Sequence, residues 1–124
     1  MNYPVGDFLI QIKNAAMANN HKVVVDNTKL IKAVADALNR LGYLDEVVLV
    51  DGKLTVNLTY KRKQPILMNL KLVSKPGLRI YKSVDDLEKK QGPSIFVLST
   101  PSGVLSQKEA IQKRAGGEVI VEIW

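Results

Sequence analysis

The sequence predicts an α+β fold in two small lobes: an N-terminal α-β-α-β-β lobe, then a mostly β C-terminal lobe with one short helix. Three observations carry this. Two segments of the first half repeat apolar residues at steps of three and four. Short β-branched runs separated by glycine and proline fill most of the rest. The positive charge lies entirely in the second half, which sets the two halves apart in composition. A chain of 124 residues with 46% hydrophobic content suits one domain, or two lobes sharing a core.

PVGDFLIQIKNAAMANN opens the chain, with Val5, Phe8, Leu9, Ile12, Ala16 and Met17 on one helical face. Pro4 fits the first turn, where its missing N–H costs nothing, and Asn19 and Asn20 suit the end. HKVVVD, residues 21–26, reads as a strand. Asn27 and Thr28 are cap candidates for a second helix. Its apolar residues are Leu30, Ile31, Val34, Ala35, Leu38 and Leu41, and Gly42 stops it. In LDEVVLVDGKLTVNLTY, Asp51-Gly52 is a type I′ turn signal between two strands. The second of these alternates Leu54, Val56 and Leu58 with polar residues. Both helices are expected on one face of this sheet.

Lys61 to Gln64 reads as a basic connector and sets the lobe boundary, 1–62 and 63–124. PILMNLKLVS reads as a strand, Lys75-Pro76-Gly77 as a tight turn, and LRIYK as the strand beyond it. SVDDLEKKQGP is a short helix or a loop. SIFVLS, residues 94–99, and GGEVIVEIW are strands. Between them, Ser106-Gln107-Lys108-Glu109 is a capping box that starts a short helix, with Gly116-Gly117 expected to close it.

Residues 1–60 carry six bases and six acids, and residues 61–124 carry twelve bases against six acids. The whole net charge of +6 therefore lies in the second half. Lys61, Arg62, Lys63, Lys71, Lys75, Arg79 and Lys82 come with no acid between them, which suggests a polyanion-binding surface or a basic face that only solubilises. Enzyme signatures are absent: there is no GxSxG elbow, phosphate-binding GxxxxGK[ST] loop or GxGxxG. With no cysteine and one histidine, His21, only carboxylates remain for metals, and Asp85-Asp86-Glu88 lacks the spacing of a calcium loop. No cofactor, metal site or catalytic residue is expected. No apolar run approaches the roughly 20 residues that span a bilayer. MNYPVGDFLIQ lacks signal-peptide features, so the expected location is cytoplasmic, without a membrane partner.

Ser99, Thr100, Pro101, Ser102 and Gly103 lie between a strand end and a helix start. Small hydroxyls and a glycine there allow close approach to a phosphate, a 2′-OH or a base edge, or form an ordinary loop. Arg79 and Tyr81 are two apart, so both side chains leave one strand face, where the phenol meets either an unstacked base or the core. Lys75 flanks the tight turn, and Lys108 and Lys113 sit on the short helix.

STPSGVLSQKEA followed by AGGEVIVEIW resembles the carboxyl-terminal signature of ribosomal protein eight of the small subunit, bacterial type. SKPGLRIYK is similar to that family's turn segment, YPVGDFLIQIKNA to its opening, and TKLIKAVADALNRLGYL to its second helix. The resemblance runs over essentially the whole chain. It implies a non-enzymatic component of the ribosome that binds small-subunit rRNA at an irregular helical element of the central domain, early in assembly. It implies contacts through Ser99, Thr100, Tyr81, Gly117 and Glu118; the residues themselves add Ser102 and Gly103 of the loop and the cations Lys75, Arg79, Lys108 and Lys113, which would neutralise phosphates. Neighbouring small-subunit proteins are implied partners, and some family members also repress their own operon mRNA. Glu118 accepts from base amino groups or 2′-OH, orients Lys108 or Lys113, or only begins the last strand. Pro101 stands where the family has a third hydroxyl, Gln107 where it has an acid, Ile111 and Gln11 where it has bases. Two other classes remain open at this point: a protein-binding module whose basic face meets an acidic partner, and a small hydrolase using Ser99 or Ser102.

Overall fold

The computed structural model describes residues 3–67 and 69–124 and divides them into two compact units, residues 2–69 and residues 70–124.

In the first unit, α1 (Pro4–Met17) starts with Pro4 in its first turn. It ends in a left-handed Asn19 (φ 57°), and the Asn20 N–H donates to the Ala15 carbonyl at 2.8 Å. After β1 (Lys22–Asp26), α2 (Lys29–Arg40) starts where the Thr28 hydroxyl accepts from the Ile31 N–H at 3.1 Å. Gly42 at φ +90° turns the chain out of α2, and the Tyr43 N–H donates to the Leu38 carbonyl at 3.0 Å. β2 (Leu44–Val50) and β3 (Lys53–Leu58) are joined by Asp51 (φ 50°) and Gly52 (φ 77°), the expected I′ turn. The antiparallel order is β1-β3-β2.

Leu54, Val56 and Leu58 of β3 are buried with Val23, Leu44 and the inner helix faces. Those faces hold Phe8, Leu9 and Ile12 of α1, and Ile31, Val34 and Leu38 of α2. Two residues leave the predicted apolar stripes: Met17 is 70% exposed and Leu30 42% exposed, while Ala15 and Ala37 are buried instead. Met17 is the last residue of α1.

Lys61–Gln64, expected as a connector, closes a hairpin. β4 (Tyr60–Lys61) pairs with β5 (Gln64–Pro65), and the two turn residues, Arg62 (φ 55°) and Lys63 (φ 67°), are both left-handed. That conformation costs a residue with a Cβ about 1–2 kcal/mol. The Tyr60 ring stacks on His21 at 4.1 Å, and its hydroxyl donates to the Asn20 carbonyl at 2.8 Å.

In the second unit, β6 (Leu70–Leu72), β7 (Tyr81–Lys82), β8 (Ile95–Thr100), β9 (Gly103–Ser106) and β10 (Gly117–Ile123) form one antiparallel sheet. The order is β6-β10-β8-β9, with β7 also on β10. β10 is the central strand and is buried at Val119, Ile120, Val121 and Ile123. Its pairing with β8 shifts register between Val119 and Val121, which leaves Ile120 as the extra residue of a bulge.

The strand predicted over PILMNLKLVS, in which Met68 lies outside the described residues, gives Pro65 to β5 and Leu70–Leu72 to β6, and that over LRIYK shortens to β7. Between them Lys75 and Leu78 exchange backbone bonds of 2.8 and 2.9 Å around Pro76 and Gly77 (φ +82°). Ser74 is fully buried, and its Oγ accepts from the Ile80 N–H at 2.9 Å, tying down the segment beyond the turn.

SVDDLEKKQGP resolves as a helix, α3 (Val84–Lys89), and α4 (Gln107–Gln112) follows β9. Both begin in capping boxes, Ser83 with Asp86 and Ser106 with Glu109. Leu87, Ala110, Leu98, Leu105 and Val119 form the core under these helices. Gly116 and Gly117 do not close α4. The left-handed residue there is Arg114 (φ 55°), and the Ala115 N–H donates to the Ala110 carbonyl at 2.9 Å.

Ser74→Ala should strand the Ile80 amide and destabilise the protein by about 1–3 kcal/mol, as measured by urea unfolding. Hydrogen bonds from the Ser83 backbone N–H and hydroxyl hold the Asp86 carboxyl below the usual carboxylate range. A lowered folded-state pKa stabilises above the unfolded value and is lost as pH falls through the folded one. Asp86→Asn should therefore lower the melting temperature at neutral pH, and the difference should close in strong acid.

Candidate nucleic-acid interface

Antiparallel pairing brings three distant residues into one row. Glu118, the second residue of β10, lies opposite Tyr81 of β7 on one side and Ser99 of β8 on the other. Residues directly opposite share a sheet face. The next pair along, Val119 with Leu98, points into the core under α3 and α4. Alternation therefore sends Tyr81, Glu118 and Ser99 to the opposite face. Tyr81 is 68% exposed, which decides its two readings in favour of an open phenol.

Arg79 joins the row. Its Nη1 donates to Glu118 Oε2 at 3.3 Å, so the carboxylate orients Arg79 and not Lys108 or Lys113. Neither Arg79 nor Ile80 belongs to the strand itself. The Val119 N–H donates to the Ile80 carbonyl at 2.8 Å, which keeps the two segments in step.

Gly117 and Gly116 make this approach possible. A Cβ on Gly117 would stand 2.2 Å from the Ser99 carbonyl oxygen, and one on Gly116 would stand 2.6 Å from that of Lys82. Backbone atoms cannot yield to that extent, so both positions require glycine for space.

The predicted loop Ser99–Gly103 is the end of a hairpin, since β9 follows at once and Thr100 pairs with Gly103. Thr100 Oγ1 donates to the Gly103 carbonyl at 2.8 Å and accepts from the Ser102 N–H at 3.1 Å. Its hydroxyl therefore shapes the turn. The Ser99 and Ser102 hydroxyls carry no hydrogen bond among the described residues.

The cations divide. Lys75 is exposed at its turn, and Lys113 caps the C-terminal end of α4, four residues before Gly117. Lys108 is not brought to the row. It lines an open depression with Gly92, Ser94, Ile95 and Ile111 at the start of β8, about 13 Å of strand away from Ser99. Lys90 is held by the Ser94 carbonyl at 2.7 Å and lies 3.9 Å from Glu122, and Arg114 binds Glu88 at 2.9 Å. Sequence reasoning missed Ser74, whose only outward sign is its place before Lys-Pro-Gly.

Among the described residues no group of three His, Cys, Asp or Glu is placed to hold a metal ion, and no helix is long and apolar enough to cross a membrane. The sheet face offers cations, an exposed ring and unbonded hydroxyls with no base on either serine, which is the chemistry of a nucleic-acid-binding protein.

Comparison with known proteins agrees. The family profile described as Ribosomal protein S8 matches residues 3–124. The small ribosomal subunit protein uS8 of Nitratidesulfovibrio vulgaris is 38% identical over 122 residues, covering 98% of this chain and 97% of the relative. The proteins of that name from Streptococcus pneumoniae and Chloroflexus aggregans are 41% and 40% identical, covering 100% of this chain and 98% of each relative. The chain belongs to the ribosomal protein S8 family. It is a structural ribosomal protein that binds rRNA, and it is not an enzyme.

Gly117→Ala should push β10 away from Ser99 and weaken both folding and RNA binding. Gly103→Ala, where a Cβ meets open space but φ is +112°, should cost stability without displacing the row. Thermal melts and filter binding on both variants separate the two effects.

Proposed function

We propose that this chain binds small-subunit rRNA at an irregular helical element of the central domain, through the face carrying Tyr81, Arg79, Glu118 and Ser99. The observation that supports this is the single row formed by Tyr81, Glu118 and Ser99 across three strands. A regular A-form major groove is too deep and narrow for side chains, so a row of this kind suits RNA whose bases are displaced from the helix.

In this reading the Tyr81 ring stacks on an unstacked base or a sugar. The Ser99 and Ser102 hydroxyls bond base edges or 2′-OH groups, and the Gly117 and Gly103 backbone lets the RNA come close. Glu118 keeps one oxygen on Arg79 and offers the other to base amino or 2′-OH donors. A carboxylate repels phosphate, so it also fixes which side of the RNA faces the row. Lys75 and Lys113, with Lys108 further along β8, neutralise phosphates and release counterions, which adds affinity without sequence information. The protein works in the cytoplasm within the small subunit, beside neighbouring ribosomal proteins. An operon mRNA that reproduces the rRNA element would occupy the same face.

Tyr81→Ala and Ser99→Ala should each weaken cognate binding by about 1–3 kcal/mol and leave scrambled RNA little affected. Lys75→Ala should weaken both RNAs alike and lower the slope of log K against log salt by about one. Filter binding over a salt series with both RNAs reads these outcomes; equal binding of the two RNAs at every salt concentration would sink the proposal.

A further inference from the structure

The first unit carries its whole charge excess at one point. Up to Tyr60 it has six bases and six acids, and Lys61, Arg62 and Lys63 follow with no further acid before the unit ends at Asn69. All three are exposed, on β4 and its turn. Among the described residues none of them has an acidic partner, while Asp36 and Asp26 of the same unit are taken by Lys32 and Lys53.

The turn is chemically out of character. Two-residue I′ turns need positive φ at both positions and favour Asn-Gly or Asp-Gly. The same unit uses that chemistry at Asp51-Gly52. At Arg62 and Lys63 it holds two long cationic side chains in the same strained conformation, with φ of 55° and 67°. Local stability does not account for the choice, and strain maintained at an exposed tip is a mark of function.

The tip is also presented firmly. Tyr60 is anchored by its ring on His21 and its hydroxyl on Asn20. Thr59 donates its N–H to Tyr43 and accepts from the Ile66 N–H, both at 3.0 Å.

We propose that the Lys61–Lys63 hairpin tip is a second RNA-contact site, one that grips phosphates of folded rRNA without reading sequence. The tip offers charge and amide, through Lys61, Arg62, Lys63 and Gln64; beside it Ile66, 40% exposed, and Pro65 are the apolar side chains of a depression that Lys61, Arg62 and Gln64 also line, without the aromatic cluster that protein interfaces concentrate. A phosphate backbone asks for no such cluster. The proposal rests on the chain's rRNA binding and not on the Tyr81–Glu118–Ser99 row.

The test uses the full chain and full-length small-subunit rRNA over a salt series. Lys61→Gln/Arg62→Asn/Lys63→Gly removes three charges and restores favoured turn chemistry. It should melt at a temperature no lower than the parent protein. Its slope of log K against log salt should fall by about two to three units, at about 0.7–0.9 per phosphate. Arg62→Lys should keep the parent slope, and Arg62→Gln should lose about one unit of it. Tyr81→Ala, measured beside them, should keep the slope and lose only the preference for cognate RNA, so the two readings fail separately. An unchanged slope in the triple variant overturns the proposal. So does an unchanged slope with exclusion of the variant from assembled subunits, which would assign the tip to an acidic protein partner.

Discussion

The second unit depends on the absence of two side chains. β10 must pair with β7 and β8 at its very first residues, and there its backbone runs against the Lys82 and Ser99 carbonyls. With a Cβ at Gly117 only 2.2 Å from the Ser99 oxygen, any other residue forces the strands apart at that end. The row is set one residue further on, so its spacing follows from this contact. The buried end of the same strand, from Val119 to Ile123, anchors the approach by packing against Leu98 and its neighbours. Close backbone contact and hydrophobic burial are two ends of one strand, and Glu118, opposite Tyr81 and Ser99, lies at the join.

What was legible in the sequence is what local chemistry decides. Thr28 and Gly42 bound α2, Asp51-Gly52 turns β2 into β3, and Ser106 with Glu109 starts α4, each through contacts within a few residues. What was not legible depends on partners far along the chain. β9 was hidden because Pro101, Ser102 and Gly103 have loop composition, yet Thr100 closes the hairpin with its own hydroxyl. The Arg79–Glu118 pair joins residues 39 apart, and no spacing rule announces it. The place of Lys108 was not legible because its position on a short helix does not say which end of β8 it lies over, and it lines a depression with Ser94 and Ile95. The basic run at Lys61–Lys63 read as a connector because nothing in its composition signals a I′ turn.

The count of bases overstates how much phosphate the second unit can meet. Lys90 lies over the Phe96 ring with Ser94 and Glu122 around it, Arg114 is on Glu88, and Arg79 is on Glu118. The Arg79 pair is partly exposed, and such pairs add about 0–1 kcal/mol, so stability is not its main consequence. Its effect is geometric: it holds a planar guanidinium on the carboxylate of Glu118, the residue paired with Tyr81. A lysine would supply the same charge without the planar fork that fits a carboxylate and stacks on a base. Charge and shape are thus carried by different residues, with lysines at turns and helix ends and a paired arginine in the segment leading into β7.

The replacement at Pro101 is explained by what Thr100 does. Thr100 both donates to Gly103 and accepts from Ser102, so the turn is closed without a hydroxyl at the next position. Proline fixes φ near about −65°, which suits the first inner position of such a turn, and it leaves the unfolded chain fewer conformations to lose. Where the native backbone accepts it, that effect is about 0.4–1 kcal/mol in favour of folding. The proline therefore stiffens a turn that the Thr100 hydroxyl already closes. Ser99 lies before the proline with its own hydroxyl unbonded, so the replacement falls on the tip of the turn and leaves the row intact.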